Sequence, residues 1–248
     1  MPDTLLEGLT DPFWRHHVAP GAVRRAWRRG EAAVVEMDRP MADGVRVLTA
    51  GVGPAADLDP LIAEVADEAE RPWRLILDEA SAGALPPAWR PAEPRSWHWM
   101  LTTQAPPAPP APPPAVEEVD LASDSGQGAA AVDAVLDAAM PETHARPGTA
   151  GIECWLGVRG ADGVLAGVGA LARQPDGTGN LRGIAVLPSY GGQGLGTALS
   201  AALTRRALAG ASGVATLGVY VDNAPALAVY DRLGFRTRHT FYSGRLAD

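Results

Sequence analysis

The residues with the most evident chemical potential lie between Leu181 and Thr197, LRGIAVLPSYGGQGLGT. An apolar run, Ile184-Ala185-Val186, ends at Pro188. The glycine-rich turn Gly191-Gly192-Gln193-Gly194-Leu195-Gly196 follows, and Thr197 opens an alanine- and leucine-rich stretch. Closely spaced glycines let a backbone approach a ligand and adopt positive φ. The first amides of a helix lack partners within it and sit at the positive end of the macrodipole, so an anion is favoured there. A pyrophosphate suits such a turn. Hydrogen bonds to charged groups contribute about 1.5–3 kcal/mol each, so several donors supply much of a micromolar affinity. A second constellation runs from Asn223 to Phe235, NAPALAVYDRLGF. Asp222 or Asn223 can cap a helix, Pro225 suits its first turn and Gly234 its C-terminal end. Asn223 and Tyr230 share one face of that helix, about 10 Å apart along its axis. A tyrosine so placed can point its hydroxyl at a ligand lying along a sheet.

Glycine-rich turns serve more than one purpose. A dinucleotide-binding turn needs G-x-G-x-x-G directly after its strand and an acid about 20 residues on. Here the glycines run G-x-G-x-G, set back from Val186, and no acid falls between Gly196 and Asp222. A purely structural turn is the plainer alternative. The elements that must position these residues read as follows. Strand 116–121, helix 128–139 and an irregular segment 140–151 come first. Strands 154–159, 164–172 and 181–186, helix 194–209, strand 214–221 and helix 224–233 follow, with a final strand or pair over 235–245. The order β-α-β-β-β-α-β-α-β predicts an α/β (α+β) layout, with parallel strands where a helix intervenes.

Together the two motifs resemble the GNAT superfamily of acetyl-CoA-dependent N-acetyltransferases. Val186, Pro188, Gly194 and Gly196 match the family's V-x-P-x-x-(R/Q)-x-x-G-x-(G/A) stretch. Asn223, Ala226, Tyr230, Gly234 and Phe235 match N-x-x-A-x-x-x-Y-x-x-x-G-F. The resemblance covers residues 116–248 and implies a mixed, mostly antiparallel sheet flanked by helices. It implies acetyl-CoA as co-substrate, no metal, and transfer by direct attack of a primary amine on the thioester. Ile184, Ala185 and Val186 would line the pantetheine arm. Gly191, Gly192, Gln193, Gly194, Leu195, Gly196 and Thr197 would cradle the pyrophosphate. Asn223 would contact the cofactor, and Tyr230 would sit near the sulfur and protonate the departing thiolate. Reference pKa values of about 8.5 for a thiol and 10 for tyrosine make that transfer nearly balanced. The family's Arg or Gln at the start of the loop falls at Gly191, so weaker coenzyme A affinity is expected. Many relatives also carry a glutamate on the strand before the loop, and Asn180–Val186 has no acid. Candidate bases are His144, which by resemblance borders the acceptor site, together with Glu142, Glu153 and Asp222; a backbone carbonyl acting through water is an alternative. Holding an amine neutral at pH 7 costs about 4.6 kcal/mol for a lysine-like pKa and about 1 for an α-amine.

Composition bounds the rest. The chain of 248 residues carries a formal net charge of −8, which disfavours nucleic acid as a partner. All 21 basic residues are arginine, so Schiff-base and Walker-type lysine chemistry is excluded; the same bias reads as a GC-rich bacterial genome. The lone Cys154 reads as a core thiol in a reducing compartment. With no apolar run of membrane length and no secretory pattern at the N-terminus, a cytoplasmic protein is expected. Ala105 to Ala115, APPAPPAPPPA, predicts a stiff extended spacer. It separates an N-terminal α/β domain, 1–104, from the domain at 116–248. In the first part, Leu5–Val18 and Leu58–Ala69 read as helices, and Ala32–Met37, Arg46–Thr49, Trp73–Leu77 and Ser96–Leu101 as strands. This order faintly echoes the second part without its glycine loop, so a degenerate half-copy is expected, one that covers the acceptor pocket or forms a homodimer contact. The run Arg24-Arg25-Ala26-Trp27-Arg28-Arg29 reads as a salt-bridged strand end. A small-molecule amine, a peptide N-terminus or a protein lysine are the acceptor classes; a non-catalytic acyl-CoA-binding regulatory module is the competing function.

Overall fold

The structure, a computed structural model, describes residues 5–41, 43–108, 114–122 and 126–246. Part of the expected proline-rich spacer, 109–113, lies outside the described residues; the rest of it has no regular secondary structure. The chain forms two compact units.

The first unit opens with a short helix, α1 (Pro12–His17). The expected helix over Leu5–Val18 is cut back to its second half. Gly8 adopts a left-handed φ of 80°, and Asp11 caps the helix from outside by accepting the Phe13 N–H at 2.8 Å. Three antiparallel strands follow, β1 (Val23–Arg29), β2 (Ala32–Met41) and β3 (Gly44–Val52). The arginine run is β1, and its cations pair with acids: Arg24 with Asp38 at 3.2 Å, Arg25 with Glu36 at 3.6 Å, and Arg29 with Glu64. Helix α2 (Ala55–Glu68) leads to β4 (Arg74–Asp78), which runs parallel to β3. Leu58, Leu61, Ile62 and Val65 recur at helical spacing and are all buried against Val34, Leu75 and Leu77 of the sheet. Strand β5 (Arg95–Thr102) supplies its first residues, through Trp99, to this unit.

The second unit follows. It contains β6 (Val116–Glu118), α3 (Gln127–Ala139), β7 (Ile152–Arg159), β8 (Leu165–Arg173), β9 (Gly179–Val186), α4 (Leu195–Leu208), β10 (Ala215–Tyr220) and α5 (Ala224–Arg232). Its strands lie in the order β10-β9-β8-β7-β6, antiparallel except for the β9–β10 pair. Strand β8 is buried almost throughout because helices cover both faces of the sheet. Alternate residues of β7 enter different cores. Cys154, Leu156 and Val158 join a cluster with Leu199 and Leu203 of α4, whereas Trp155 joins one with Val132 and Leu136 of α3. This is the period of two that a strand imposes. No described helix is long and apolar enough to cross a membrane.

The last strand, β11 (Arg236–Arg245), belongs from Thr237 onward to the first unit. There it pairs antiparallel with β4, Phe241 opposite Asp78 and Arg245 opposite Arg74, and lies between β4 and β5. By contacts, residues 237–246 group with 5–41 and 43–99.

Candidate active site

Strand β9 carries an irregularity that reorganises everything after it. Its pairing with β8 shifts between Val168 and Ala170, and Gly183 sits in the left-handed region at φ 56°. One extra residue in a strand reverses the alternation of side chains beyond it. Leu181 faces the α4 core. Beyond the bulge Ile184 and Val186 pack against that same core, while Ala185 turns to the α3 core. The pairing with β10 stops at the same place. It covers Gly179, Asn180 and Leu181 and ends at Leu217, so β9 runs on from Arg182 to Val186 without a β10 partner. The two parallel strands part there, leaving a wedge flanked by strand backbone.

The wedge leads to the glycine turn. Pro188–Tyr190 form a single 3-10 turn, and Gly192 and Gly194 adopt left-handed φ values of 75° and 77°. Gly194 is the residue preceding α4, with no side-chain cap bonded to the helix start and no acid in its first turn. A Cβ built on Gly192 or Gly194 would meet nothing within 4 Å. Exposed amides, an uncompensated positive helix end and open space thus converge on one spot, a combination that favours an anion. Gly191 differs from its neighbours: its φ of −59° suits any residue, and a Cβ there would lie 3.2 Å from the Pro188 carbonyl oxygen. Leu195 is buried in the core, as Ala185 is on the opposite face, so both can offer only backbone groups to a ligand. Gly196 and Thr197 are half-buried in the first turn of α4, and Gln193 is exposed.

Helix α5 places the second motif. The Asn223 Oδ1 accepts the Ala226 N–H at 3.2 Å and caps the helix. That use leaves the Nδ2 amide as a donor for something else. Tyr230 is buried in the same cluster as Leu195 and Leu199, with its ring edge-on to Phe235 at 5.9 Å. Burial pushes its phenol up to about 12. It stays protonated across the physiological range and can only donate or accept a hydrogen bond.

The family model of the acetyltransferase (GNAT) family matches residues 129–235, which hold the bulge, the turn and both motifs. Those residues are a GNAT-family domain. Solved structures agree in fold. A Novosphingobium aromaticivorans protein described as a GNAT-family acetyltransferase matches over 98% of this chain and 97% of its own, at 19% identity and a TM-score of 0.55. GCN5-related N-acetyltransferases of Sphaerobacter thermophilus and Kribbella flavida match over 88% and 91% of this chain and 77% and 90% of theirs. Their identities are 16% and 20%, with TM-scores of 0.57 and 0.51. No curated protein sequence matches the chain.

The segment between α3 and β7 is less ordered by local rules. His144 is exposed in the irregular segment between α3 and β7, and its carbonyl accepts the Thr149 hydroxyl at 3.4 Å. Glu142 lies in the same segment, also exposed. Glu153 is committed elsewhere: Arg173 donates to it at 2.7 and 3.3 Å and holds its carboxyl below the usual range. It is a poor proton acceptor for that reason. Asp222 falls within the first unit, exposed, 4.0 Å from Arg95.

Sequence reasoning missed two residues that brace the glycine turn. The Tyr190 hydroxyl donates to Asp162 Oδ2 at 2.6 Å, and Asp162 Oδ1 accepts the Val164 N–H at 3.1 Å. The Tyr190 ring lies over Gly160, where a Cβ would come within 2.3 Å of it. The bond lowers the Asp162 carboxyl and raises the Tyr190 phenol. It ties the start of the turn to the β7–β8 hairpin. Nothing local in the A-D-G sequence at 161–163 ties it to Tyr190.

Proposed function

We propose that the protein is an N-acetyltransferase that moves an acetyl group from acetyl-CoA to a primary amine by direct attack. A GNAT-family domain marks the chain as an acyltransferase that uses an acyl-CoA. The observation that carries the finer reading is the parting of β9 from β10 at Leu181, directly before an uncapped helix start with no acid. An extended arm ending in a pyrophosphate fits that sequence of wedge and anion site. The backbone of Ile184 and Val186 would hold the arm, the amides of Gly192 to Thr197 the pyrophosphate, and the Asn223 side-chain amide would add a contact. The bound co-substrate supplies an acetyl group already activated as a thioester.

Tyr230 then serves as a donor at the sulfur. Its proton is held harder than reference values suggest. Against a thiol of about 8.5, a phenol at about 12 makes full transfer uphill by roughly 5 kcal/mol. Tyr230 therefore stabilises the developing negative charge by donating a hydrogen bond, and the proton passes late or from solvent. The proton that the acceptor amine sheds must pass to a base, with His144 and a backbone carbonyl acting through water the candidates. An amine of low pKa is favoured as acceptor because the strand leading to the turn, Asn180–Val186, carries no acid.

The test is Tyr230→Phe, assayed by thiol release with a competent amine and by calorimetry with acetyl-CoA. The turnover number should fall by about 10²-fold, since one preorganised donor is worth roughly 3 kcal/mol, while the dissociation constant stays within twofold. Unchanged turnover removes Tyr230 from the chemistry. A chain that binds acetyl-CoA but transfers to no amine is a binding module instead.

A further inference from the structure

The chain contains two strand–turn–helix–strand units of one pattern, β3–α2–β4 and β9–α4–β10. Both helices have 14 residues and both strand pairs are parallel. They differ at the places where a coenzyme A would bind. The β3–β4 pairing continues through Gly51 and Leu77, leaving only Val52 before the turn. No wedge opens. The turn itself is packed: a Cβ on Gly53 would lie 2.5 Å from Ala32 Cα, and one on Gly51 would lie 2.7 Å from Leu77 Cδ1. The corresponding space over Gly192 and Gly194 is open.

Charge differs in the same sense. The first turn of α2 carries Asp57, and the Gly53 N–H donates to Asp78 Oδ2 at 2.9 Å. The other oxygen of Asp78 meets His239 Nδ1 at 2.9 Å, and His239 Nε2 meets Asp11 Oδ1 at 3.0 Å. The carboxylate beside the turn is therefore fixed by a neighbour from β11, and the positive helix end is compensated from within the protein. We propose that the anion position of the N-terminal unit is occupied by the protein's own Asp78 carboxylate, so that this unit is closed to coenzyme A and the chain has one cofactor site. The count of one rests on the reading of the α4 turn given above; the closure of the N-terminal unit does not.

Calorimetric titration of the full chain with acetyl-CoA tests both, using wild type and Gly196→Glu. A side chain at position 196 has room, its Cβ 3.7 Å from Val186, and an acid in the first turn of a helix favours folding. It gives α4 what Asp57 gives α2. Wild type should bind one equivalent, and Gly196→Glu should bind at least tenfold more weakly. Two equivalents in wild type, or a full equivalent with unchanged affinity in Gly196→Glu, overturns the proposal. No binding by wild type sinks the coenzyme A reading of the α4 turn and leaves the N-terminal unit closed, as proposed.

Discussion

Single residues in the proposed site do two jobs, and the jobs separate by substitution. Asn223 caps α5 through its oxygen and is proposed to reach the cofactor through its nitrogen. Asn223→Asp retains the cap and removes the donor, so stability should hold while acetyl-CoA affinity falls. Asn223→Ala should lose about 1 kcal/mol of stability as well. Thermal melts beside calorimetry read the two effects apart; equal affinity in Asn223→Asp and wild type would leave the residue a cap only. Gly191 is the converse case, a position whose φ of −59° suits any residue although a Cβ there would press on the Pro188 carbonyl oxygen at 3.2 Å. Its backbone accepts a side chain, and Gly191→Arg should tighten acetyl-CoA by about tenfold through one charge-assisted contact. No gain would mean that the amides of the turn already satisfy the anion.

At the scale of elements, the bulge at Gly183 is the feature on which the wedge depends. Its left-handed φ strains any residue with a side chain, and a notional Cβ would crowd Ala145 at 3.2 Å and Trp155 at 3.3 Å. Gly183→Ala should cost about 1–3 kcal/mol in urea unfolding and weaken acetyl-CoA binding, because Ile184 and Val186 would lose their phase; wild-type stability would show that the bulge is not strained. Elements set by local rules were legible in the sequence. The span of α4 was expected as 194–209 and observed as 195–208, because glycines at one end and an apolar period within it define both limits. Helix α5 was equally readable from Asn223, Pro225 and Gly234. The bulge was not, since Gly183 looks like any strand glycine until β8 fixes the register. Helix α1 was overextended because its apolar spacing outvoted Gly8 and Pro12. His239, Asp11 and Asp78 were invisible as a group; they meet only because β11 pairs with β4, a choice that nothing near residue 239 announces.

For the whole molecule, that group is a charge device with a predictable pH signature. Burial works against the His239 imidazolium, but the Asp11 and Asp78 hydrogen bonds outweigh it and push it up to about 9. Burial also opposes the Asp11 carboxylate, yet the His239 and Phe13 bonds leave it below its ordinary value. A raised folded pKa means that His239 stabilises fully below its reference value near 6.5 and loses that contribution as pH rises toward 9, of the order of 3 kcal/mol in all. Asp11 acts in the opposite direction and is lost only in acid. The melting temperature should therefore fall between pH 6.5 and 9, and His239→Gln should flatten that slope. An unaltered slope in the variant would assign the effect elsewhere. The group also ties the first helix of the chain to its last strand. Ribosomes emit β11 after every other described strand, yet it lies between β4 and β5. During synthesis, then, the N-terminal unit waits with the edges of two strands unsatisfied and Phe241 and Leu246 missing from its core. Domains generally fold as units, N-terminal first, as they emerge; here the first unit to be made is the last that can be completed, and a nascent chain stalled before residue 237 is one that chaperones would have to hold.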